Sequence, residues 1–281
     1  MNALYLRGLK IKSGLFFSLL FISELALSQV HKGRVFSSLT NSPLAYANVG
    51  IAGRNIGTVT DLSGSYTLDL ESVNDTDSIR FSMIGYQSKT FLLRQFRSDS
   101  VKTVFLDQRL YTLTEVKITY HKLKEIRLGN PVISGNLKSG FANNTLGAEL
   151  GIKLNVKKQV RLTDLDLNVA TCTYDSVTYR LNIYESGNKV EYKNILSTPI
   201  YISFTKEMIR DVVTFDLRKY SLLIKGDVLI SLELFKNLGD GRLLFNTAWF
   251  TGTTYHRQTI ESKWIEAPGI IGMYLHGLVI K

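Results

Sequence analysis

The fold of this chain is decided by residues 57–66, which read GTVTDLSGSY. Two runs with alternating apolar and polar residues flank the segment DLSG, in which Asp61 can open a turn and Gly64 can adopt a positive φ. A period of two is typical of β-strands that bury one face. The stretch therefore predicts two strands joined by a tight turn, which we interpret as a hairpin.

The same alternation continues on both sides of this turn, from residue 30 to about residue 119. Gly85 and Tyr86 follow one of these runs, and we expect them to reverse the chain and to lay the aromatic ring on the core. No helical period persists across the region. Further alternating runs lie at residues 47–51, 66–70, 79–83 and 104–106, and a turn is expected at residues 41–43. About seven strands in roughly 90 residues predict a small β-sandwich.

Four ordered motifs in this region resemble the carboxypeptidase-regulatory-like domain. They read GRV at 33–35, SPLAYANV at 42–49, GTVTDLSGSY at 57–66 and FSMIGY at 81–86. The resemblance covers residues 30–119 and implies a transthyretin-like or immunoglobulin-like β-sandwich. In that family the module is an accessory, which follows the catalytic domain of some metallocarboxypeptidases and precedes the plug of many TonB-dependent receptors in Gram-negative outer membranes. It also implies turn and core roles, rather than catalysis, for Asp61, Gly64, Gly85 and Tyr86.

We do not expect a receptor channel to follow this module. The segment LTEVKI at 113–118 resembles the connection to a receptor plug. However, the roughly 160 residues after it are too few for a plug and a 22-stranded barrel, whose strands need about ten residues each. The module is therefore interpreted as one that is attached to a different domain.

The second half of the chain predicts another β domain. Residues 120–144 contain the breaker groups GNP, SGN, SG and NN and are interpreted as a linker. Alternation returns after Gly147, with apolar residues from Ala148 to Val156 on one face and Glu149 and Lys153 on the other. Eight or so strands in residues 145–281 predict an antiparallel, jelly-roll-like sandwich. We therefore expect an all-β chain with two domains, 29–119 and 145–281.

Residues 1–28 have the pattern of a secretory signal peptide. Basic residues come first, an apolar run follows at 15–22, and ALS at 26–28 precedes the expected cleavage after Ser28. A retained membrane anchor is the alternative, but Glu24 interrupts the run, which is shorter than the roughly 20 residues of a span. No later segment predicts a transmembrane helix. We expect an exported protein of the Gram-negative envelope, in the periplasm, at the outer-membrane surface or outside the cell.

Composition and charge exclude several classes. Hydrophobic residues make up 44% of the chain and prolines number only 4, which excludes disordered and collagen-like proteins. The net charge of +10 is spread along the chain rather than gathered in a basic stripe, so we expect no nucleic-acid partner. One local basic cluster is interpreted as part of the linker or, alternatively, as a contact for anionic lipid or polysaccharide. It contains Lys117, His121, Lys122, Lys124 and Arg127.

The sequence lacks the motifs of the common hydrolases. None of the histidines, His31, His121, His256 and His276, begins a His-x-x-Glu or His-Glu-x-x-His pattern, so we expect neither a zinc peptidase nor a bound metal. No Gly-x-Ser-x-Gly elbow and no phosphate-binding loop is present, and no cofactor is expected. The single cysteine, Cys172, cannot form an intramolecular disulfide and is interpreted as a core thiol.

A glycoside hydrolase remains the less favoured enzyme hypothesis, because it needs only two suitably spaced carboxylates. Most of the available carboxylates are expected on solvent-facing strand positions. The set comprises Glu149, Asp164, Asp166, Glu185, Glu233 and Glu261.

A group of C-terminal residues predicts a ligand site. Aromatic rings stack on sugars and neighbouring polar groups bond their hydroxyls, although tryptophan and tyrosine are also ordinary core residues. Tyr255 and Trp264 are the preferred candidates because polar residues flank them. The full set is Asp240, Arg242, Trp249, Tyr255, His256 and Trp264. We hypothesise a non-catalytic binding or accessory protein for a glycan or surface polymer; the alternative is a scaffold subunit that partners another envelope protein.

Overall fold

The computed structural model describes residues 30–98, 103–109, 124–132, 136–186 and 192–280. The expected signal peptide, the segment at 113–118 and most of the basic cluster lie outside these residues. Within them, no helix has both the length and the apolar character that a bilayer crossing requires.

The first module, residues 30–98 and 103–109, is a sandwich of two sheets. Its elements are β1 (Val30–Ser37), β2 (Asn48–Ile51), β3 (Gly57–Val59), β4 (Ser65–Asp69), β5 (Ser78–Ser82), β6 (Lys89–Leu92), α1 (Leu93–Ser98) and β7 (Thr103–Leu106). One sheet has the order β4-β1-β7 and the other the order β3-β2-β5-β6. The strand pairs are antiparallel except β1 and β7, which are parallel. The predicted small β-sandwich is confirmed.

The turn at residues 61–64 does not close a hairpin. β3 pairs with β2, whereas β4 pairs with β1 in the opposite sheet, so the hairpin interpretation was wrong. The turn instead carries the chain from one sheet to the other. Gly64 has φ +74°, and a Cβ at this position would lie 2.5 Å from the carbonyl oxygen of Val35. Glycine is required there both for the backbone conformation and for the close approach to β1.

Asp61 stabilises this turn through its carboxylate. Its Oδ1 atom accepts hydrogen bonds from the Ser63 hydroxyl at 2.7 Å, the Ser65 amide at 2.9 Å and the Ser63 amide at 2.8 Å. The Ser63 hydroxyl, followed by these amides, lowers the pKa of Asp61 below its ordinary value of 3.8. These bonds stabilise the folded state fully at pH values above the pKa of the unfolded carboxyl. The stabilisation decreases below that pH and is lost as the pH falls through the lower pKa of the folded carboxyl.

We expect Asp61→Ala to lower the free energy of unfolding by about 1 kcal/mol at neutral pH. Urea denaturation at pH 7 and at about pH 3 measures this effect, and the difference from the wild type should be smaller at the acidic pH. Asp69→Ala is the matched control, because Asp69 accepts one such bond, from the Glu71 amide. A cost for Asp61→Ala that does not change with pH would show that the charge of Asp61 contributes nothing.

The second domain, described from residue 124 to residue 280, is built from antiparallel strands. They are β8 (Lys124–Gly129), β9 (Leu137–Phe141), β10 (Glu149–Leu167), β11 (Val169–Cys172), β12 (Ser176–Ser186), β13 (Tyr192–Asn194), β14 (Ile200–Thr205), β15 (Val213–Asp216), β16 (Leu223–Glu233), β17 (Leu243–Arg257), β18 (Ile265–Ile271) and β19 (Met273–Val279). Two short 3-10 helices lie at Lys206–Met208 and Arg218–Tyr220. The all-β prediction is confirmed, with more strands than the eight or so expected.

Two long strands connect the parts of this domain. The first part of β10 pairs with β16 and β17, and its second part pairs with β15 and β19. The register shifts between Val156 and Val160 on β10, and between Ala248 and Thr253 on β17. Such irregularities bend a strand and let it change neighbours. One continuous core results, which includes Ile152, Leu165, Leu181, Leu232 and Phe245.

Most of the described part of residues 120–144 is not a linker. β8 pairs with β19, and β9 pairs with β17, so both strands belong to the second domain. The glycines that were interpreted as breakers are needed for close strand approach. A Cβ at Gly129 would lie 2.5 Å from the carbonyl oxygen of Met273, and a Cβ at Gly140 would lie 2.1 Å from that of Leu243. Apolar and polar residues alternate only weakly in β8 and β9, so the sequence pattern does not predict these two strands.

Candidate ligand-binding cleft

A cleft of about 970 Å³ lies between the first module and the second domain. On the first module it is lined by the end of β5, the turn that follows and Arg109. On the second domain it is lined by parts of β12 and β13 and by residues between Tyr255 and Glu266. Both parts of the chain are therefore needed to form the walls.

The turn between β17 and β18 docks on the first module. The Gly53 amide donates to the Glu261 carbonyl at 2.9 Å, and the Ser262 hydroxyl donates to the Arg54 carbonyl at 3.0 Å. On the other side of the cleft, a Cβ at Gly85 would lie 2.7 Å from the carbonyl oxygen of Ser197. These contacts hold the residues that follow Ser262, including Trp264, in the wall of the cleft.

A buried ion pair lies at the junction of the two parts. The side chains of Arg180 on β12 and Glu233 on β16 are both 0% exposed, and Arg180 donates to the two carboxylate oxygens at 2.9 and 2.5 Å. The remaining donors of Arg180 reach the first module, where they contact the Tyr46 carbonyl at 2.7 Å and the Asn48 side-chain oxygen at 3.1 Å. One guanidinium thus connects two strands of the second domain with the first module.

A second buried pair forms part of the cleft wall. Arg257 on β17 donates to Glu149 on β10 through two nitrogens, one of them at 3.0 Å. The Tyr184 hydroxyl donates to Glu149 at 3.0 Å, and the Asn182 amide bridges Glu149 and Glu233 at 3.2 and 2.7 Å. Burial alone would lower the pKa of Arg257, but the adjacent Glu149 carboxylate raises it. Arg257 therefore stays charged and fixed in the wall.

This network corrects the expectation that most strand carboxylates face solvent. Glu149 is 1% exposed and Glu233 is 0% exposed. Asp166, 5% exposed, lies 2.9 Å from the His276 imidazole. The alternation of β10 correctly separates its two faces, but it does not show that the polar face near Glu149 is covered by other parts of the chain.

Aromatic rings surround the second-domain side of the cleft. The Arg257 guanidinium lies over the Trp264 ring, 4.4 Å from its centre. The rings of Tyr184 and Tyr192 approach Trp264 at 6.0 and 5.9 Å between centres. Tyr255 lies on the same wall, where burial, followed by a hydrogen bond with Glu266, raises its pKa to about 12. Partly exposed aromatic surface is thus present beside charged and amide groups.

The structure brings two of the six predicted site residues to this cleft, namely Tyr255 and Trp264. His256 follows Tyr255 on β17 and therefore points to the opposite face of the sheet. Trp249, which is 47% exposed, lies on the same strand, within the segment between Ala248 and Thr253 where the pairing with β18 shifts register.

The two remaining candidates lie before the start of β17. The Arg242 amide donates to the Thr173 hydroxyl at 2.8 Å, and Asp240 precedes it in the same loop. Of the predicted group, the structure brings only Tyr255 and Trp264 to the cleft, because the candidates are spread along and around a strand of 15 residues.

Several residues of the cleft were not identified from the sequence as site residues. Arg80, Tyr86 and Arg109 come from the first module, and Tyr192 and Lys193 come from β13. Tyr86 was assigned to the core, and it does pack against the core of the first module while also lining the cleft. These cleft residues come together only because the first module docks on the second domain, and no local sequence pattern predicts that docking.

No metal-binding cluster of three or more His, Cys, Asp or Glu residues occurs within the described ranges. Cys172 packs against the core of the second domain, and burial raises the pKa of its thiol. The Cys172 side chain is half-buried, so it lies at the edge of this core rather than fully inside it.

The comparisons with known proteins identify the first module. Residues 31–118 match the family model described as the CarboxypepD_reg-like domain, a non-catalytic regulatory-type domain, and this confirms the resemblance seen in the sequence. No curated protein matches the chain.

Two solved structures align with this chain over most of its length. They are a mutant VP2 protein of infectious bursal disease virus in derived T=1 particles and the VP2 subviral particle of the same virus. Each is 8% identical to this chain and aligns over 90% of it, with TM-scores of 0.17 and 0.16. The chain spans 62% and 64% of the viral chains, and at these TM-scores the similarity supports no shared fold.

Proposed function

We propose that the chain is an exported, non-catalytic binding protein of the Gram-negative envelope that holds a saccharide in the cleft between its first module and second domain. The cleft itself is the observation that carries this proposal. Its volume of about 970 Å³ is suited to a ligand of several sugar rings.

The chemistry of the walls supports a saccharide. Sugar rings offer an apolar face for stacking and hydroxyl groups at their edges for hydrogen bonds. Trp264, Tyr255 and Tyr192 supply aromatic surface, and Asn194 and Ser88 supply amide and hydroxyl groups on opposite sides. Ser88 accepts a hydrogen bond from Arg80 at 3.0 Å and Asn194 donates one to Asn182 at 2.8 Å, so both side chains are held in place in the walls.

The absence of catalysis is proposed from the state of the carboxylates. A glycosidase needs an acid that reaches the glycosidic oxygen and a second carboxylate nearby. Glu149 and Glu233 are close to each other, but both are buried and bonded to arginines. Of the carboxylates that line the cleft, Glu261 lies near Arg80 and Glu266 bonds Tyr255. Neither arrangement places a proton-donating acid and a second carboxylate on the two sides of a glycosidic bond.

Binding to a panel of neutral and acidic glycans, with hydrolysis products monitored in the same samples, tests the proposal. We expect saturable binding without products. Trp264→Ala and Tyr255→Ala should each weaken it by roughly fivefold, because each removes a stacking surface worth about 1 kcal/mol.

Trp249→Ala is the matched control, since Trp249 is an exposed aromatic on the strand of Tyr255 but outside the cleft. Release of products would contradict the non-catalytic claim. If no glycan of the panel binds and a stable protein partner is isolated from the envelope, the scaffold alternative is favoured.

A further inference from the structure

We infer that Asn182 is a positioning residue, which couples the docking of the first module to the position of Trp264 in the cleft wall. This inference rests on the proposed function and concerns how the first module regulates the saccharide site. Asn182 lies on β12 and is 1% exposed. It stands between the two buried ion pairs, of which one contacts the first module and the other contacts Trp264.

The side-chain amide of Asn182 connects the two pairs through their carboxylates. Its nitrogen donates to Glu233 at 2.7 Å and to Glu149 at 3.2 Å. An amide nitrogen carries two hydrogens, so it can serve both acceptors at once. Burial raises the pKa of Glu149, the Arg257 charge opposes this shift, and the Glu233 carboxylate adds to it. The two carboxylates therefore interact, and among the described residues Asn182 is the one side chain that hydrogen-bonds both of them.

Arg180 connects the first module to this amide. Its terminal nitrogens donate to the Tyr46 carbonyl at 2.7 Å and to the Asn48 side-chain oxygen at 3.1 Å. Its Nε atom donates at 2.9 Å to Oε2 of Glu233, the same oxygen that accepts the bond from Asn182. The side chains are buried, so water does not readily replace a bond that is lost and the remaining groups must shift instead.

Glu149 connects Asn182 to the cleft wall. It accepts a hydrogen bond from the Arg257 Nε atom at 3.0 Å, and the Arg257 guanidinium lies 4.4 Å from the centre of the Trp264 ring. The Asn182 carbonyl also accepts a bond at 2.8 Å from Asn194, which lines the cleft on β13. A displacement of Asn182 therefore changes the support of the wall.

Packing holds the Trp264 side chain in this wall. Its indole nitrogen is buried and has no hydrogen-bond partner among the residues that the structure describes. The ring lies instead against Arg257, Tyr184 and Tyr192. Arg257 and the Tyr184 hydroxyl both bond Glu149, so two of these three neighbours depend on that carboxylate. The position of Trp264 should therefore respond to changes in the buried network.

Acrylamide quenching of Trp264 emission tests the inference in the ligand-free protein. The chain contains only 2 tryptophans, so every variant also carries Trp249→Phe, which leaves Trp264 as the sole indole. Asn48→Ala removes the side-chain acceptor that the first module offers to Arg180. We expect it to raise the quenching constant by roughly twofold, the size of a weak coupling within one hydrogen-bonded network. Asn182→Thr should raise the constant as much, because a hydroxyl has one hydrogen and can bond only one carboxylate.

The double variant decides whether Asn182 transmits the effect. Asn48→Ala should change the quenching no further when Asn182→Thr is present. Equal effects of Asn48→Ala with and without Asn182→Thr would overturn the inference, since the first module would then act on Trp264 through the turn at Ser262. An unchanged quenching constant in Asn48→Ala would overturn it as well.

Asn55→Ala is the matched control, because it removes the same amide from an exposed position of the first module outside the cleft. It should leave the quenching of Trp264 at the wild-type value, and an effect equal to that of Asn48→Ala would contradict the inference. Circular dichroism and urea unfolding check that each variant folds. Should Asn182→Thr not fold, Asn182→Ser replaces it, since serine also offers one hydroxyl hydrogen.

The outcomes separate this inference from the proposed function. Quenching needs no saccharide, so additive effects of Asn48→Ala and Asn182→Thr would overturn the inference while binding of a glycan from the panel would still support the site. If a glycan of the panel binds, Asn182→Thr should weaken its binding by roughly threefold. Unchanged affinity in Asn182→Thr would overturn the inference, whereas failure of every glycan to bind would overturn the proposed function.

Discussion

Replacing Glu233 by glutamine is expected to lower the free energy of unfolding by about 3–5 kcal/mol. Glutamine keeps the shape of the side chain and removes its charge, so the Arg180 guanidinium is left buried without a counter-ion. Arg180 is 0% exposed, and water cannot replace the lost carboxylate. Urea denaturation of the wild type and Glu233→Gln measures the difference.

Arg218→Gln provides the comparison at the surface. Arg218 pairs with Asp164 at 3.0 Å, but its side chain is 61% exposed, and loss of such a pair costs at most about 1 kcal/mol. Similar costs for Glu233→Gln and Arg218→Gln would contradict the buried junction between the first module and the second domain.

Replacing Gly85 by alanine is expected to cost about 2–4 kcal/mol. Gly85 has φ +88°, which strains a side-chain-bearing residue, and the added Cβ would lie 2.7 Å from the Ser197 carbonyl oxygen across the cleft. Relief of this contact moves the two walls apart, so saccharide binding should weaken together with stability. Thermal or urea unfolding and glycan titration of the same variant measure both effects.

Gly53→Ala separates the cost of the positive φ from the cost of the close approach to Ser197. Gly53 has φ +75°, but a Cβ there would have no atom within 4 Å. This variant should therefore show only the backbone strain, about 1 kcal/mol, and should bind saccharide like the wild type. Equal effects of the two substitutions would show that Gly85 has no role in the docking of the walls.

Local chemistry was predictable from the sequence in the first module, whereas strand pairing was not. Asp61 and Gly64 form the expected turn, because side-chain hydrogen bonding and positive φ are properties of those residues. The hairpin was wrong, because alternation identifies the buried face of a strand but not its neighbour. Gly129 and Gly140 show the same limit: they suggested a linker, although they lie in strands that approach their partners closely.

The candidate site was predictable only in part. Polar neighbours correctly singled out Tyr255 and Trp264, which line the cleft. Arg80 and Tyr86 could not be associated with them, because more than 160 residues separate the two groups in the sequence and only docking unites them. Glu149 was expected at the surface, since a polar strand face gives no sign that other elements cover it.

The fluorescence of Trp264 during saccharide titration shows directly whether the ligand occupies the cleft. The chain contains only 2 tryptophans, so Trp249→Phe leaves Trp264 as the sole indole, in the wall of the cleft. We expect a saturable change in the Trp264 emission with the dissociation constant measured by calorimetry, and no such change in the Trp249 emission of Trp264→Phe. Calorimetric binding that alters Trp249 and leaves Trp264 unaffected would place the site elsewhere and contradict the account.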